Sequence, residues 1–242
     1  MNRVAFSLFG LVALSASACT GNPIGFSGYD MPDHFPLDGK RSWEYSNPAT
    51  TWQMNVVMLE TTENVNDAQV KTLEYYDDVN GMLLMRTRWS SDSSRGVLLH
   101  SYEVLAEGGQ GGGDTGGGDT GGGDDTGDDT GGAMGPAEAV VFDPPIQVGE
   151  RDHLPQESIV TETTGGTWTS TFESTEPCPN NWVGGDNTWD CVRVVLDDGD
   201  GDSSTGAKVA GTYWLAPRYG MSWFQLTGDA DKWILNRAEW EE

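Results

Sequence analysis

Positive charge is scarce in this chain: 13 lysines and arginines stand against 38 aspartates and glutamates, for a formal net charge of −25 at pH 7. Such a surface repels phosphate backbones and anionic headgroups, which excludes nucleic acid as a partner and a body lying flat on an anionic membrane. Histidine is scarcer still. His34, His100 and His153 are widely spaced and lack the paired-histidine helix pattern that a zinc site uses. The serine elbow Gly-x-Ser-x-Gly is absent, and "GFSG" at residues 25–28 lacks its spacing. Carboxylate pairs are so abundant that none points to acid–base chemistry, and a non-enzymatic protein is expected, with a secreted hydrolase as the most distant alternative. Beyond the N-terminal segment no long uncharged apolar run exists, so no second membrane span is expected. Amphipathic helical runs are also scarce.

Cysteine occurs at three positions only, Cys19, Cys178 and Cys191. The first closes "MNRVAFSLFGLVALSASAC", in which one cation at Arg3, an apolar run from Val4 to Leu14 and the small residues Ser15 to Ala18 follow the order of a secretory signal. The apolar run is too short to span a bilayer stably. Residues 1–18 are therefore read as a signal peptide. A cysteine directly after the small residues resembles the lipobox of bacterial lipoproteins, whose thiol is converted to a diacylglyceryl thioether and whose new N-terminus is acylated. The resemblance implies Cys19 as the lipidation site; the plainer reading is a secreted protein cleaved after Ala18. Thr20, where aspartate would retain an enteric lipoprotein at the inner membrane, points to the outer membrane. The membrane is then a partner through the lipid, and an envelope protein or a hydrophobic ligand is a further one.

With Cys19 spent on lipid, an even pair remains in an oxidising compartment. Cys178 and Cys191 bracket "CPNNWVGGDNTWDC", a loop rich in turn formers, and are expected to form a structural disulfide rather than a redox pair, which uses closer spacing.

What the chain has in plenty is glycine, 33 residues, and tryptophan, 10 residues. Glycine concentrates in "GGQGGGDTGGGDTGGGDDTGDDTGGAMG" at 108–135, where there is nothing to bury and like charges repel, so a disordered linker is expected. Residues 19–34 read as a lipidated flexible tether, 35–107 and 136–242 as two halves of one β domain. Between these punctuators the apolar pattern has the period of strands. Trp52, Met54, Val56 and Met58 alternate onto one face, as do Leu83, Met85, Thr87 and Trp89, and a third set, Leu98, His100, Tyr102 and Val104. "ESIVTETTGGTWTSTFES" reads as a hairpin turning at Gly165 and Gly166. Four further strands follow, "TWDCVRVVL", "AKVAGTYWLA", "GMSWFQLTG" and "KWILNRAEW". The fold class is all-β: a curved antiparallel sheet, half-barrel or barrel-like, of about ten strands with the Gly/Asp/Thr-rich insertion. Trp168, Trp189, Trp214 and Trp233 fall on or beside strands, where core packing is the first reading and a ligand-lined concave face the second.

"DDGDGDSSTG" at 197–206 sets Asp198, Asp200 and Asp202 at alternate positions, as a calcium loop opens. The sixth and twelfth places hold Ser203 and Val209 instead of glycine and glutamate. A hairpin turn is the first reading, a divalent-cation site using Ca2+ the second; no other cofactor is implied.

Three stretches, "FPLDGKRSWEY" from Phe35, "WDCVRV" from Trp189 and "YWLAPRYG" from Tyr213, resemble in this order the motifs of a group of uncharacterised bacterial lipoproteins with a curved antiparallel sheet. This chain carries Arg218 and Tyr219 where that group has Gly and Val, and adds Cys178 as a partner for Cys191. The resemblance implies a fold and an address in the envelope, not an activity. By analogy with lipoprotein carriers of similar shape, it also implies an alternative role in carrying acyl chains or another hydrophobic ligand.

Overall fold

The computed structural model describes residues 29–92, 94–105, 138–164, 166–178, 190–199 and 209–241. The alternating apolar segments form twelve antiparallel strands: β1 (Lys40–Asn47), β2 (Trp52–Val65), β3 (Ala68–Asp77), β4 (Leu83–Asp92), β5 (Gly96–Val104), β6 (Glu138–Gly149), β7 (Ser158–Thr163), β8 (Gly166–Pro177), β9 (Asp190–Asp197), β10 (Gly211–Ala216), β11 (Gly220–Leu226) and β12 (Trp233–Glu241). Every strand lies beside its neighbour in sequence, and β12 returns to pair with β1, Trp43 opposite Ala238. The result is an up-and-down barrel whose seam lies between β6 and β7.

That seam has a local cause. Pro144 and Pro145 in β6 offer no N–H to a ladder, so β6 can serve only as an edge. Side chains and turn ends bridge the gap instead: Thr164 N–H donates to the Asp143 carbonyl (3.1 Å), the Thr164 hydroxyl to the Val141 carbonyl (3.0 Å), and Gln147 N–H to the Thr161 hydroxyl (3.2 Å). The prolines also hide β6 from a periodicity reading. β1 and β3 likewise escaped it, which is why twelve strands stand where about ten are expected.

The strand faces follow the pattern with two corrections. Met54, Val56 and Met58 of β2, and Thr87 and Trp89 of β4, are buried as expected. In β4, Tyr75 pairs with Met85 but Tyr76 with Leu83, so Leu84 is the extra residue of a bulge and Leu83 leaves the face of Met85, Thr87 and Trp89. In β5 the set Leu98, His100, Tyr102 and Val104 does not share a face. Trp89 pairs with Leu99 and Arg88 with Ser101, leaving His100 as the extra residue of a β-bulge, so Val97 and Leu99 point inward before it and Tyr102 and Val104 after it. The expected hairpin forms, but Gly166, expected in the turn, is the first residue of β8 and pairs with Thr163. The segments on the two sides of the 108–135 linker belong to one sheet, since β5 and β6 pair directly; the linker lies outside the described residues.

Inside, aromatic rings fill the barrel: Phe142 meets Trp168 edge-on, Tyr45 meets Phe224, and Phe35 tilts against Trp89. Most of the polar atoms among the interior aromatic side chains find partners, as burial requires, whereas Trp168 Nε1 has none. The Tyr45 hydroxyl donates to the Met221 carbonyl at 2.7 Å, Trp89 Nε1 to the Thr87 hydroxyl at 2.7 Å, and Tyr213 to the Val209 carbonyl. Burial raises the Tyr75 phenol to about 12.

The N-terminal residues close one end. Tyr29 forms an antiparallel bridge with His153, and a single helical turn, α1 (Met31–His34), inserts Met31 fully into the core. Residues 29–34 thus belong to the folded body and not to the flexible tether expected at 19–34.

Candidate functional site

The barrel end closed by α1 gathers the starts of β1, β3 and β11 and the ends of β2, β4, β10 and β12. A groove of about 1060 Å³ opens there, lined by α1 and these strand ends. Its rim is built around the turn at Ala216–Tyr219. Tyr219 N–H donates back to the Ala216 carbonyl (3.2 Å), with Pro217 second and Arg218 third, the arrangement of a type II turn. The third position takes φ of +69° here, a left-handed conformation that suits glycine and strains arginine. Neighbours hold it from both sides. Arg218 N–H donates to the Asp33 carbonyl (2.9 Å), and Arg41 Nη1 donates to the Arg218 carbonyl (2.8 Å). A second Arg41 donor reaches Asp38 Oδ1 at 2.6 Å, and that bond holds the Asp38 carboxyl below its usual range.

The Arg218 side chain itself is exposed and has no hydrogen bond, ion pair or ring contact among the described residues. It is the one described cation of which this is true. Lys71, Arg86, Arg88, Arg95, Arg151, Arg193, Lys232 and Arg237 all have partners, as do Lys40 and Arg41. The Asp33 carboxylate, exposed on the same rim, makes no hydrogen bond or ion pair among the described residues, though its charge acts on neighbouring His34. Across the groove Trp240 stands edge-on to Tyr219 (centroids 5.0 Å) and stays 47% exposed. Lys71 Nζ donates to the Glu60 carbonyl (3.0 Å), which leaves its other N–H donors for the groove it lines. The arrangement offers cationic donors, a carboxylate and an aromatic face together. Of these residues only Arg218 and Tyr219 stand out in the sequence, as departures from the Gly and Val of the resembled lipoproteins; Asp33, Lys71 and Trp240 carry no such signal.

Behind the groove lie two buried histidines. His34 Nδ1 faces the Asp30 carbonyl at 3.0 Å, so that nitrogen carries the proton, and neither ring nitrogen of His153 has a partner. Desolvation lowers both pKa values, against the opposing charges of Asp33 and Asp30 on His34 and of Glu150 and Glu157 on His153.

His100 forms a different pair, its Nε2 lying 2.8 Å from the Ser90 hydroxyl. That spacing suits nucleophile activation, yet Ser90 is 1% exposed and lines neither cavity, and no carboxylate orients the ring. The pair satisfies two buried polar groups. Among the described residues, the interior pocket lined by Tyr75, Met85, Trp89, Tyr213 and Phe224 among others holds about 10 Å³, far too small for an acyl chain.

Of the residues singled out from sequence, Cys178 and Cys191 are joined in a disulfide, with Cα atoms 4.9 Å apart. Cys19 lies outside the described residues, as do Asp200, Asp202 and Trp189. Asp198 is half-buried beside a turn in which Asp197 Oδ1 accepts the Gly199 N–H (3.1 Å), and no three metal-ligating side chains converge among the described residues. Trp168 is core, and Trp214 lies against Trp223 with Lys232 over both rings, at 4.2 and 4.6 Å.

No protein-family model matches the chain, and no curated protein matches it. A solved structure that aligns with it is that of a putative lipoprotein from Parabacteroides distasonis ATCC 8503, at 10% identity, covering 85% of this chain and 98% of that one with a TM-score of 0.34. An overlap of that quality carries no argument about this chain.

Proposed function

We propose that this chain is a lipid-anchored protein of the bacterial envelope, held in the outer membrane by acyl chains on Cys19, with a β-barrel body of binding or structural role and no enzymatic one. The observation that carries the reading is the placement of Cys19 directly behind an apolar run and four small residues. Acyl chains on both the thiol and the new N-terminus give a stable anchor where one alone is marginal. The body suits such a tether. Its strands turn Trp168, Ser170 and Phe172 inward and Thr167, Thr169, Thr171 and Glu173 outward, the pattern of a barrel in water and the reverse of one embedded in lipid. Carriage of an acyl chain inside the barrel is disfavoured by the 10 Å³ void.

The test is the intact mass of the protein from fractionated envelopes of its native host. Residues 19–242 plus three acyl chains, in the outer-membrane fraction, is the expected result. A soluble form without added mass would refute the anchor.

A further inference from the structure

The groove beside the N-terminus combines charges that no simple ion satisfies. A phosphate alone would meet Arg218 and Lys71 but face Asp33 and Asp38 on the same rim; a cation alone would meet Asp33 but face Arg41, Lys71 and Arg218. A zwitterion carrying phosphate at one end and ammonium at the other satisfies both sets. Guanidinium and ammonium donors suit phosphate oxygens. A carboxylate and an exposed tryptophan face suit an alkylammonium. Tryptophan and tyrosine such as the Tyr219–Trp240 pair also favour the headgroup level of a bilayer.

Position argues for the same occupant. Tyr29 enters the body at this barrel end, and Cys19 lies ten residues earlier. Ten residues reach at most about 35 Å when extended and about 17 Å as a coil. An acylated Cys19 therefore holds this end, and not the opposite one, near the headgroups. The net charge of −25 opposes docking on anionic lipid, whereas a zwitterionic surface presents no net repulsion.

We propose that the groove seats the phosphoethanolamine-type headgroups of the membrane's own phospholipids, Arg218 and Lys71 taking the phosphate and Asp33 with Trp240 the ammonium, so that the barrel docks end-on. This rests on the anchored reading of Cys19 for its geometry.

The experiment uses residues 19–242 with Cys19→Ala, which carry neither the apolar leader nor a thiol-linked lipid, floated with neutral vesicles of phosphatidylethanolamine and phosphatidylcholine. The unacylated chain is expected to float with them. Arg218→Gly, which keeps the turn, and Asp33→Asn should each reduce the bound fraction about fivefold or more, Arg218→Lys should restore most of it, and Asp198→Asn at the opposite end should change nothing. No flotation, or flotation indifferent to Arg218→Gly and Asp33→Asn, would overturn the proposal. So would an equal response to Asp198→Asn. Loss of binding on adding millimolar inorganic phosphate, with phosphate itself bound in the absence of vesicles, would reassign the groove to a free anion and overturn it too. Because this chain is unacylated, failure here leaves the mass measurement on Cys19 unaffected, and the reverse holds.

Discussion

Replacing Arg218 by glycine should make the protein more stable. A non-glycine residue at φ +69° costs roughly 1–2 kcal/mol relative to an unstrained one. Glycine removes that cost but brings back about 0.5–1 kcal/mol of unfolded-chain entropy. The main-chain bonds of the position, to Asp33 and from Arg41, survive the substitution, and the guanidinium that is lost has no partner among the described residues. A net gain of about 0.5–1 kcal/mol follows, or about 1–4 °C in Tm for a domain of this size. Urea unfolding followed by tryptophan emission would read it as a higher midpoint at unchanged slope. Arg218→Ala, which deletes the side chain while retaining the strain, should stay within about 0.5 kcal/mol of the parent. A lower midpoint for the glycine variant would refute the reasoning, because it would mean that the guanidinium supports the fold and is not held in reserve for a ligand.

The disulfide closes a loop with a sequence separation of 13, so the double variant Cys178→Ser, Cys191→Ser should lose about 3 kcal/mol, seen by calorimetry as a fall of about 6–12 °C. Tyr45→Phe removes a fully buried hydrogen bond to the Met221 carbonyl and should cost about 1–2 kcal/mol in denaturant unfolding. Leu73→Ala, in the barrel interior, should cost about 2–5 kcal/mol by the same measurement. His34 and His153 have folded pKa values below the unfolded one, so the unfolded chain binds more protons as pH falls below about 6.5. Their contribution is complete above that pH and is lost on acidification toward the folded values. Tm should therefore drop between pH 7.5 and 5, and the drop should be shallower in His153→Phe; an identical pH profile in that variant would remove His153 from the account.

Strand by strand, the legible parts of the fold are those where period-two alternation is strong. Met54 to Met58, Met85 to Trp89 and the β7–β8 hairpin declare their faces because one side must be apolar. β6 was illegible because its two prolines look like a breaker, and only its position at the seam tolerates them. The face of Tyr102 was misread because a bulge at His100 shifts the parity by one residue, and nothing in "GVLLHSYEV" marks where the extra residue falls.

The groove is the extreme case. Arg218, Asp33, Lys71 and Trp240 come from four separate elements, and each alone is an ordinary surface residue. Composition and local pattern by themselves determined that the chain is acidic, β-rich, interrupted by a glycine-rich stretch and headed by an apolar run that ends in small residues and a cysteine, because these properties depend only on neighbours in sequence. Which strands meet around the barrel, that Met31 caps its end, and that one unpaired cation and one unpaired carboxylate share a rim were decided by tertiary structure, because β1 and β12 must pair across nearly the whole chain before those residues come within reach of one another.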